Sequence, residues 1–316
     1  MSWTLAIHGG AGTPPPEDLT GEREAAYRAG LLAALEAGRA VLDQGAAALD
    51  AVLAAVASLE DCPLFNAGRG STFTHDGRIE MDASVMDGAT GQAGAVTGVT
   101  RIRNPVLAAH RVAQRTPHVM LAGPAADAFA EAEGLAMADP EYFRTPHRLA
   151  QLQQALQAGQ VALDHDLAAR LPRDDLPDQA RMGTVGAVAR DAAGRLAAAT
   201  STGGMTNKRD GRIGDSPVIG AGTWADGAVA VSCTGTGEAF MRCAAAHELS
   251  ALMRHRGLSV QAAADLVALE LVPRAGGRGG LIAVDAAGEP ALSFGTAGMH
   301  RGVLRAGAAP MVAILR

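Results

Sequence analysis

Gly183-Thr184-Val185-Gly186 places a threonine directly after a glycine and at the head of an apolar run. A threonine hydroxyl is a poor nucleophile until a base takes its proton, and none lies nearby in sequence: of nine histidines, the first beyond Thr184 is His247. Cutting the Gly183–Thr184 bond would create the base on the same residue. The freed α-amino group would have a pKa of about 7.7–8.0 and lie beside its own hydroxyl. Gly183 suits such a cut, since a residue without a side chain lets the hydroxyl reach its carbonyl and tolerates a strained conformation. The plain alternative is a Gly-Thr turn entering a strand, and four residues do not decide between them. Arg212 and Asp215 carry opposite charges in a Gly-rich loop. They suit a substrate with both a carboxylate and an ammonium group, or else form a surface ion pair. Glu80, Asp82 and Asp87 could serve acid–base work or a divalent metal. Alternation puts Glu80 and Asp82 on one strand face, where a solvated or loop-bonded role is the commoner explanation. Asp164-His165-Asp166 looks like a ligand cluster but has no partner at metal-ligand spacing.

The elements that must position these residues are legible in outline. Residues 184–189 and 196–202 are apolar runs joined by Asp191-Ala192-Ala193-Gly194, a hairpin signal. Residues 164–180 are charged, contain proline and lack periodicity, which predicts a tether ending at Gly183. Earlier in the chain, residues 4–7 read as a buried strand, after which His8-Gly9-Gly10-Ala11-Gly12 should turn sharply. Pro14-Pro15-Pro16 follows at once, so no helix N-terminus points back to cradle a phosphate. Helical spacing begins near Gly21, and a second helix follows Gly45. Residues 59–70 are broken by proline and glycine and read as a structured loop. Residues 78–87 and the stretch from Ala93 alternate like paired strands. Helices are expected at 104–116, from Pro124 and from Pro146, with a short strand at 118–122 between the first two. After Gly237 the pattern predicts helices over 238–256 and 259–271, then strands at 281–284, 290–295 and 311–315. Asp285-Ala286-Ala287-Gly288 repeats the earlier turn, which we read as two similar hairpins and not as an internal repeat.

Several motifs occur in order: His8-Gly9-Gly10-Ala11-Gly12, Gly183-Thr184-Val185-Gly186, residues 200–208 (TSTGGMTNK), residues 211–217 (GRIGDSP) and residues 232–238 (SCTGTGE). Together they strongly resemble the plant-type L-asparaginase and isoaspartyl peptidase family of N-terminal-nucleophile hydrolases, nearly end to end. The resemblance implies an α/β fold, a four-layer αββα sandwich, in one domain spanning 1–316. It further implies processing into 1–183, with a tether at about 164–183, and 184–316. Thr184 would be the nucleophile, assisted by Thr202. Thr234 and Gly235, before a helix whose N-terminus adds positive potential, would be oxyanion donors; capping of that helix by Thr236 is the plain structural reading of the same residues and is compatible with that role. Arg212, Asp215, Thr234, Gly235 and Gly237 would contact substrate, L-asparagine or a β-aspartyl dipeptide. In this family the 59–70 loop holds a sodium ion through main-chain carbonyls, here those of Leu59, Glu60, Cys62, Phe65, Ala67 and Arg69. Oxygen donors suit such a hard cation, although an ordinary helix-to-strand connection would look the same in sequence. No organic cofactor is implied, and the assembly would be a homodimer of processed units, (αβ)2.

Composition agrees. Nearly half the 316 residues are apolar but only 3% are aromatic, so the core must rely on Ala, Val, Leu and Ile packed closely around glycines. A formal charge of −6, with 26 dispersed arginines and one lysine, argues against nucleic-acid or anionic-membrane partners. Three cysteines without disulfide-like spacing, no secretory signal and no membrane span point to the cytoplasm. Three other readings remain at this point. A dinucleotide-binding fold fails for want of the third glycine after Gly235 and Gly237. A glycosylasparaginase-like amidase and an unprocessed, non-catalytic scaffold both stay open.

Overall fold

The computed structural model describes residues 2–12, 21–157 and 183–315. The expected tether lies outside the described residues except for Gly183, as does Asp164-His165-Asp166.

Two sheets stack face to face. The larger has eight strands in the order β12-β11-β1-β5-β6-β2-β3-β4. Its strands are β1 (Thr4–Ala11), β2 (Met81–Asp87), β3 (Ala93–Val99), β4 (Met120–Ala122), β5 (Thr184–Arg190), β6 (Leu196–Thr202), β11 (Gly298–Arg305) and β12 (Met311–Leu315). The smaller has four, ordered β10-β9-β8-β7: β7 (Thr223–Ala225), β8 (Val229–Gly235), β9 (Gly279–Asp285) and β10 (Pro290–Phe294). Strands in both sheets are apolar on both faces because each sheet is covered on both sides. On β1, Leu5 and Ile7 join α1 (Gly21–Asp43), α2 (Ala48–Asp61) and α3 (Pro105–Arg115) in the largest core cluster. Ala6 points the other way, into a cluster with Val188, Ala198, Ala230 and Ile282 that fills the space between the sheets. The outer face of the smaller sheet, including Val231 and Ala283, packs under α8 (Ala245–Arg256) and α9 (Val260–Leu266). The order of layers is therefore helix, sheet, sheet, helix, the αββα sandwich.

Helix α1 buries Tyr27, Leu31, Ala34, Leu35, Gly38 and Leu42 at helical spacing, and full burial of each leucine contributes about 1.5–3 kcal/mol. Helices α4 (Gly123–Ala132), α5 (Pro140–Phe143) and α6 (Pro146–Gln157) each start with proline in the first turn, where its missing N–H costs nothing.

Four sequence expectations need correction. Strand β1 does not stop at Ile7 but runs to Ala11 through a bulge between His8 and Gly10. The strand expected from Arg78 begins at Met81, so Glu80 precedes it, its Oε2 accepting from Gly211 N in the neighbouring loop. Asp82 is buried, with Oδ1 accepting from Gly98 N, and is no solvated carboxylate. The helix expected over 238–256 breaks into α7 (Gly237–Arg242) and α8 at Ala244, which adopts a left-handed conformation. With only six residues, α7 presents a weaker N-terminal dipole than the expected helix would. Finally, Thr236 does not cap α7: its hydroxyl accepts from Arg278 N instead.

Candidate active site

The β5–β6 hairpin brings its two ends together. Pairing runs from Arg190↔Leu196 at the turn to Thr184↔Thr202 at the open end, and β2 continues the row with Asp82↔Thr202. Since Val185 and Ala187 face the helices, Thr184 and Thr202 face the other sheet. Thr184 Oγ1 donates to Thr202 Oγ1 at 3.3 Å, and Thr202 Oγ1 donates to the Gly183 carbonyl at 3.1 Å while accepting from Gly204 N at 3.0 Å. Ser216 Oγ lies 3.5 Å from Thr184 Oγ1. The hydroxyl, its neighbour and the preceding carbonyl thus form one hydrogen-bonded line.

Gly183 has φ +115°, a conformation that only glycine adopts cheaply. A β-carbon there would also collide with Asn66 Cβ. Gly10 at φ +113° crowds the bond from the other side, where an added β-carbon would lie 2.8 Å from Gly183 Cα. The bulge in β1 makes this approach, which explains why the segment after Ile7 is rich in glycine.

Gly183, Thr184, Thr202, Arg212, Asp215 and Gly235 line one cleft together with Gly204, Met205, Gly214 and Ser216. Five of the expected catalytic and binding residues therefore converge with the Gly183 carbonyl. Thr234 is buried beside the cleft, its hydroxyl accepting from Ala11 N at 3.1 Å, which leaves its own hydrogen to donate elsewhere. Gly237 lies behind the charged pair: a β-carbon on it would come within 2.9 Å of both Arg212 Nη2 and Asp215 Oδ1.

Arg212 does not pair with Asp215. Its Nε and Nη2 make a two-pronged bond to Glu238, each arm 2.9 Å. Asp215 is buried, and its Oδ2 has no hydrogen-bond partner. Burial pushes its carboxyl up to about 7, against the pull of Arg212. Behind them sits buried Lys208, donating to the Glu80 carbonyl at 2.8 Å. Burial pushes Lys208 down and Asp82 up, each partly restrained by the other's charge.

The loop expected from Leu59 starts only after Asp61, because Leu59, Glu60 and Asp61 still belong to α2; the segment from Leu59 to Arg69 stands behind the cleft and reaches it through Asn66, whose Nδ2 donates to the Gly204 carbonyl at 2.6 Å. Gly68 and Gly70 let the chain pack closely on its own carbonyls: a β-carbon on Gly68 would strike the Glu60 carbonyl oxygen and one on Gly70 the Phe65 carbonyl oxygen. Carbonyl oxygens suit a hard monovalent cation. The Leu59, Cys62, Phe65 and Ala67 carbonyls each also accept a main-chain N–H, which leaves a second lone pair on each. Among the described residues no group of three His, Cys, Asp or Glu side chains is placed to hold a metal.

Sequence reasoning missed Glu238, Asn66 and Ser216 as members of this neighbourhood; the resemblance put the segment from His8 to Gly12 beside the site but gave His8 no role. Glu238, Ser216 and His8 lie inside the motifs quoted above, so the signal was present as motif membership without a role.

A threonine opening an inner strand of an αββα sandwich, its hydroxyl bonded in line with the preceding carbonyl, defines the N-terminal-nucleophile class of hydrolases. The chain belongs to the asparaginase family, which it matches over residues 1–314. It is 51% identical to the isoaspartyl peptidase of Salmonella typhimurium over 313 residues, covering 99% of this chain and 98% of that protein. It is 40% identical to the human isoaspartyl peptidase/L-asparaginase, covering 92% and 89%. The plant-type L-asparaginase of Pyrococcus abyssi is 39% identical, with 96% of each chain covered.

Proposed function

We propose that the chain cuts itself between Gly183 and Thr184 and then hydrolyses L-asparagine and β-aspartyl dipeptides. The observation that carries this reading is the line Thr184 Oγ1, Thr202 Oγ1, Gly183 O at a positive-φ glycine. The Thr184 hydroxyl attacks the Gly183 carbonyl carbon. The oxygen that becomes negative already accepts the Thr202 hydroxyl, and one such donor contributes about 2.7–4 kcal/mol. Collapse breaks the C–N bond, leaving the Gly183 acyl group as an ester on Thr184 Oγ1 and a free Thr184 amine. Water hydrolyses the ester, giving chains 1–183 and 184–316 within one domain.

In turnover the amine takes the hydroxyl proton as Oγ1 attacks the side-chain amide of the substrate. It returns the proton to the leaving ammonia or amine, and water then releases aspartate from the β-aspartyl ester. Thr234 and Gly235 donate to the developing oxyanion. Glu238 occupies two nitrogens of Arg212 and so presents Nη1 to the substrate α-carboxylate, while Asp215 takes the α-ammonium. The Leu59, Glu60, Cys62, Phe65, Ala67 and Arg69 carbonyls would hold a monovalent cation, which would stiffen the wall carrying Asn66. Activity should accordingly survive EDTA, and a requirement for an added divalent ion would refute that assignment. The homologues' names support a small-molecule substrate. We assign the mature enzyme to an (αβ)2 homodimer, to be checked by its mass in solution. We assign it to the cytoplasm, which agrees with three free cysteines and with the lack of any described helix long and apolar enough to cross a membrane.

The test compares β-Asp-Leu, α-Asp-Leu, L-asparagine and N-acetyl-asparagine. Only the first and third keep both α-groups free, and they should be the good substrates. Equal turnover of the α- and β-linked dipeptides refutes the clamp.

A further inference from the structure

Beneath the nucleophile a second row of residues crosses the sheet: His8↔Gly186 between β1 and β5, Gly186↔Thr200 between β5 and β6, and Ser84↔Thr200 between β2 and β6. All of their side chains are fully buried. His8 Nδ1 lies 2.9 Å from the Thr184 carbonyl oxygen and His8 Nε2 lies 2.9 Å from Ser232 Oγ on the facing sheet. Ser232 Oγ is 2.7 Å from Thr200 Oγ1, which accepts from Thr223 Oγ1. Ser84 Oγ lies 2.8 Å from Thr223 Oγ1 and 2.6 Å from the Ser216 carbonyl.

The proton positions in this chain follow from one end. A carbonyl oxygen can only accept, so Nδ1 carries the hydrogen. Burial holds the imidazole neutral, pushing it down to about 3 against the pull of the Thr184 carbonyl, so Nε2 is bare and accepts from Ser232. Ser232 has then spent its proton and must accept from Thr200, which accepts from Thr223. The hydroxyls of Ser232, Thr200 and Thr223 thus all point toward His8, while Ser84 can donate to the Ser216 carbonyl or to Thr223. Gly186 makes the arrangement possible, because a β-carbon there would overlap Ser232 Oγ and lie 2.5 Å from His8 Nε2.

The bond to Thr184 matters because of where β1 stops supporting β5. Their ladder ends at His8↔Gly186, two residues short of Thr184, where β1 bulges between His8 and Gly10. Once the Gly183–Thr184 bond is cut, Thr184 loses its covalent anchor on one side. Its orientation then rests on the pairing of Thr184 with Thr202 in β6 and on the bond from His8 to its carbonyl.

We propose that His8 is a positioning residue, resting on the function proposed above: its Nδ1–H clamps the Thr184 carbonyl and so aims the freed amine and hydroxyl at substrate, while the buried hydroxyl chain locks the imidazole in that tautomer. The clamp serves turnover more than self-cleavage, since the uncut chain still holds Thr184 from both sides. A side-chain amide separates the two bonds. In His8→Asn the amide nitrogen takes the place of Nδ1 and can still donate to the carbonyl; in His8→Gln the amide takes the place of Nε2 and reaches Ser232 but not Thr184.

The experiment measures kcat and KM for L-asparagine, together with the rate of chain cleavage, in wild type, His8→Asn and His8→Gln. His8→Gln should lose about 10- to 100-fold in kcat, with KM within about threefold and cleavage less affected than kcat. His8→Asn should recover most of that loss. Equal kcat in the two variants, or a defect confined to KM, overturns the proposal. Nitrogen-15 NMR of wild-type His8 decides the tautomer even where a variant fails to fold: Nδ1 should be protonated and Nε2 bare between about pH 5 and 8, and a protonated Nε2 overturns the clamp. A wild type that neither cleaves itself nor hydrolyses asparagine brings down the underlying function; an active wild type with indistinguishable Asn and Gln variants brings down only the clamp.

Discussion

Two hairpins in this molecule turn on the same four residues, Asp-Ala-Ala-Gly. In the β5–β6 hairpin Asp191 accepts from Ala193 N and Arg195 N, Gly194 N donates back to the Asp191 carbonyl, and Gly194 has φ +84°. In the β9–β10 hairpin Asp285 accepts from Ala287 N and Glu289 N, Gly288 N donates to the Asp285 carbonyl, and Gly288 has φ +89°. The turns even touch, Arg190 Nε donating to the Ala286 carbonyl at 2.7 Å. Yet one hairpin opens on Thr184 and the cleft, and the other on Gly279-Gly280. The turn therefore sets register and leaves function to what each open end meets. For β5 that is the bulge of β1, Thr202, Asn66 and the Arg212–Asp215 loop. Asp191 differs from Asp285 in one further respect: it is buried and also accepts from Ala48 N and Arg195 Nε, tying the turn to the start of α2.

The sharpest way to break the contrast is at the open end. Thr184→Ala should stay a single polypeptide and lose all hydrolytic activity, read by intact mass and by ammonia release; cleavage at the same bond in this variant would remove Thr184 from its role. Arg212→Ala should still cleave itself, because cleavage uses only the chain's own atoms. It should nonetheless lose on the order of 30- to several-thousand-fold in kcat/KM, since losing one partner of a desolvated charge pair costs about 2–5 kcal/mol.

A smaller effect should appear in the pH profile. Burial raises Asp215 to about 7, with Arg212 opposing, so below that pH its carboxyl is protonated and cannot hold an ammonium group. The kcat/KM for asparagine should climb through pH 7, falling about tenfold per unit below it from this group alone. Asp215→Asn should remove that limb while leaving the one from the Thr184 amine.

Least disruptive to activity is the closed end. Asp191→Ala should cost about 2–3 kcal/mol of stability at pH 7 and Asp285→Ala about 1, by denaturant titration, with kcat spared in both. Burial works to raise the Asp191 carboxyl, but bonds from Ala48 N and from Arg195 outweigh it and hold the group below the usual range. A depressed folded value stabilises above the unfolded pKa of about 3.9 and stops doing so as pH falls through the folded value. The difference between the two variants should accordingly shrink in acid.

The same contrast explains what could be read in advance. Both turns and the apolar runs beside them were legible because hairpin chemistry is local. Strand β11 was not: Gly298–Arg305 mixes His300, Arg301 and Arg305 with its apolar residues and takes its place in the sheet only by pairing with β1 and β12. Strand β8 was read as a motif and not as a strand. The break before α8 left no mark either, since Ala244 adopts a left-handed conformation without glycine or proline to announce it. In the site, residue types raised Thr184, Arg212 and Asp215 only as candidates beside a plain turn and a surface ion pair, and it was the run of motifs that favoured them. Glu238 could not be paired with Arg212 from sequence, because 26 residues and two strands of the smaller sheet separate them. Gly186 is similar: its small size answers to Ser232, a residue of the other sheet.

The crowding of Gly10 against Gly183 has one more consequence. In the uncut chain Gly183 is itself part of the cleft wall, beside the hydroxyl that must attack. Under the self-cleavage proposed above, the newly made protein would be a zymogen whose inhibitor is its own backbone, and its first turnover would consume that inhibitor. Latency and activation would then reside in a single peptide bond, and each molecule would switch on once with no way back.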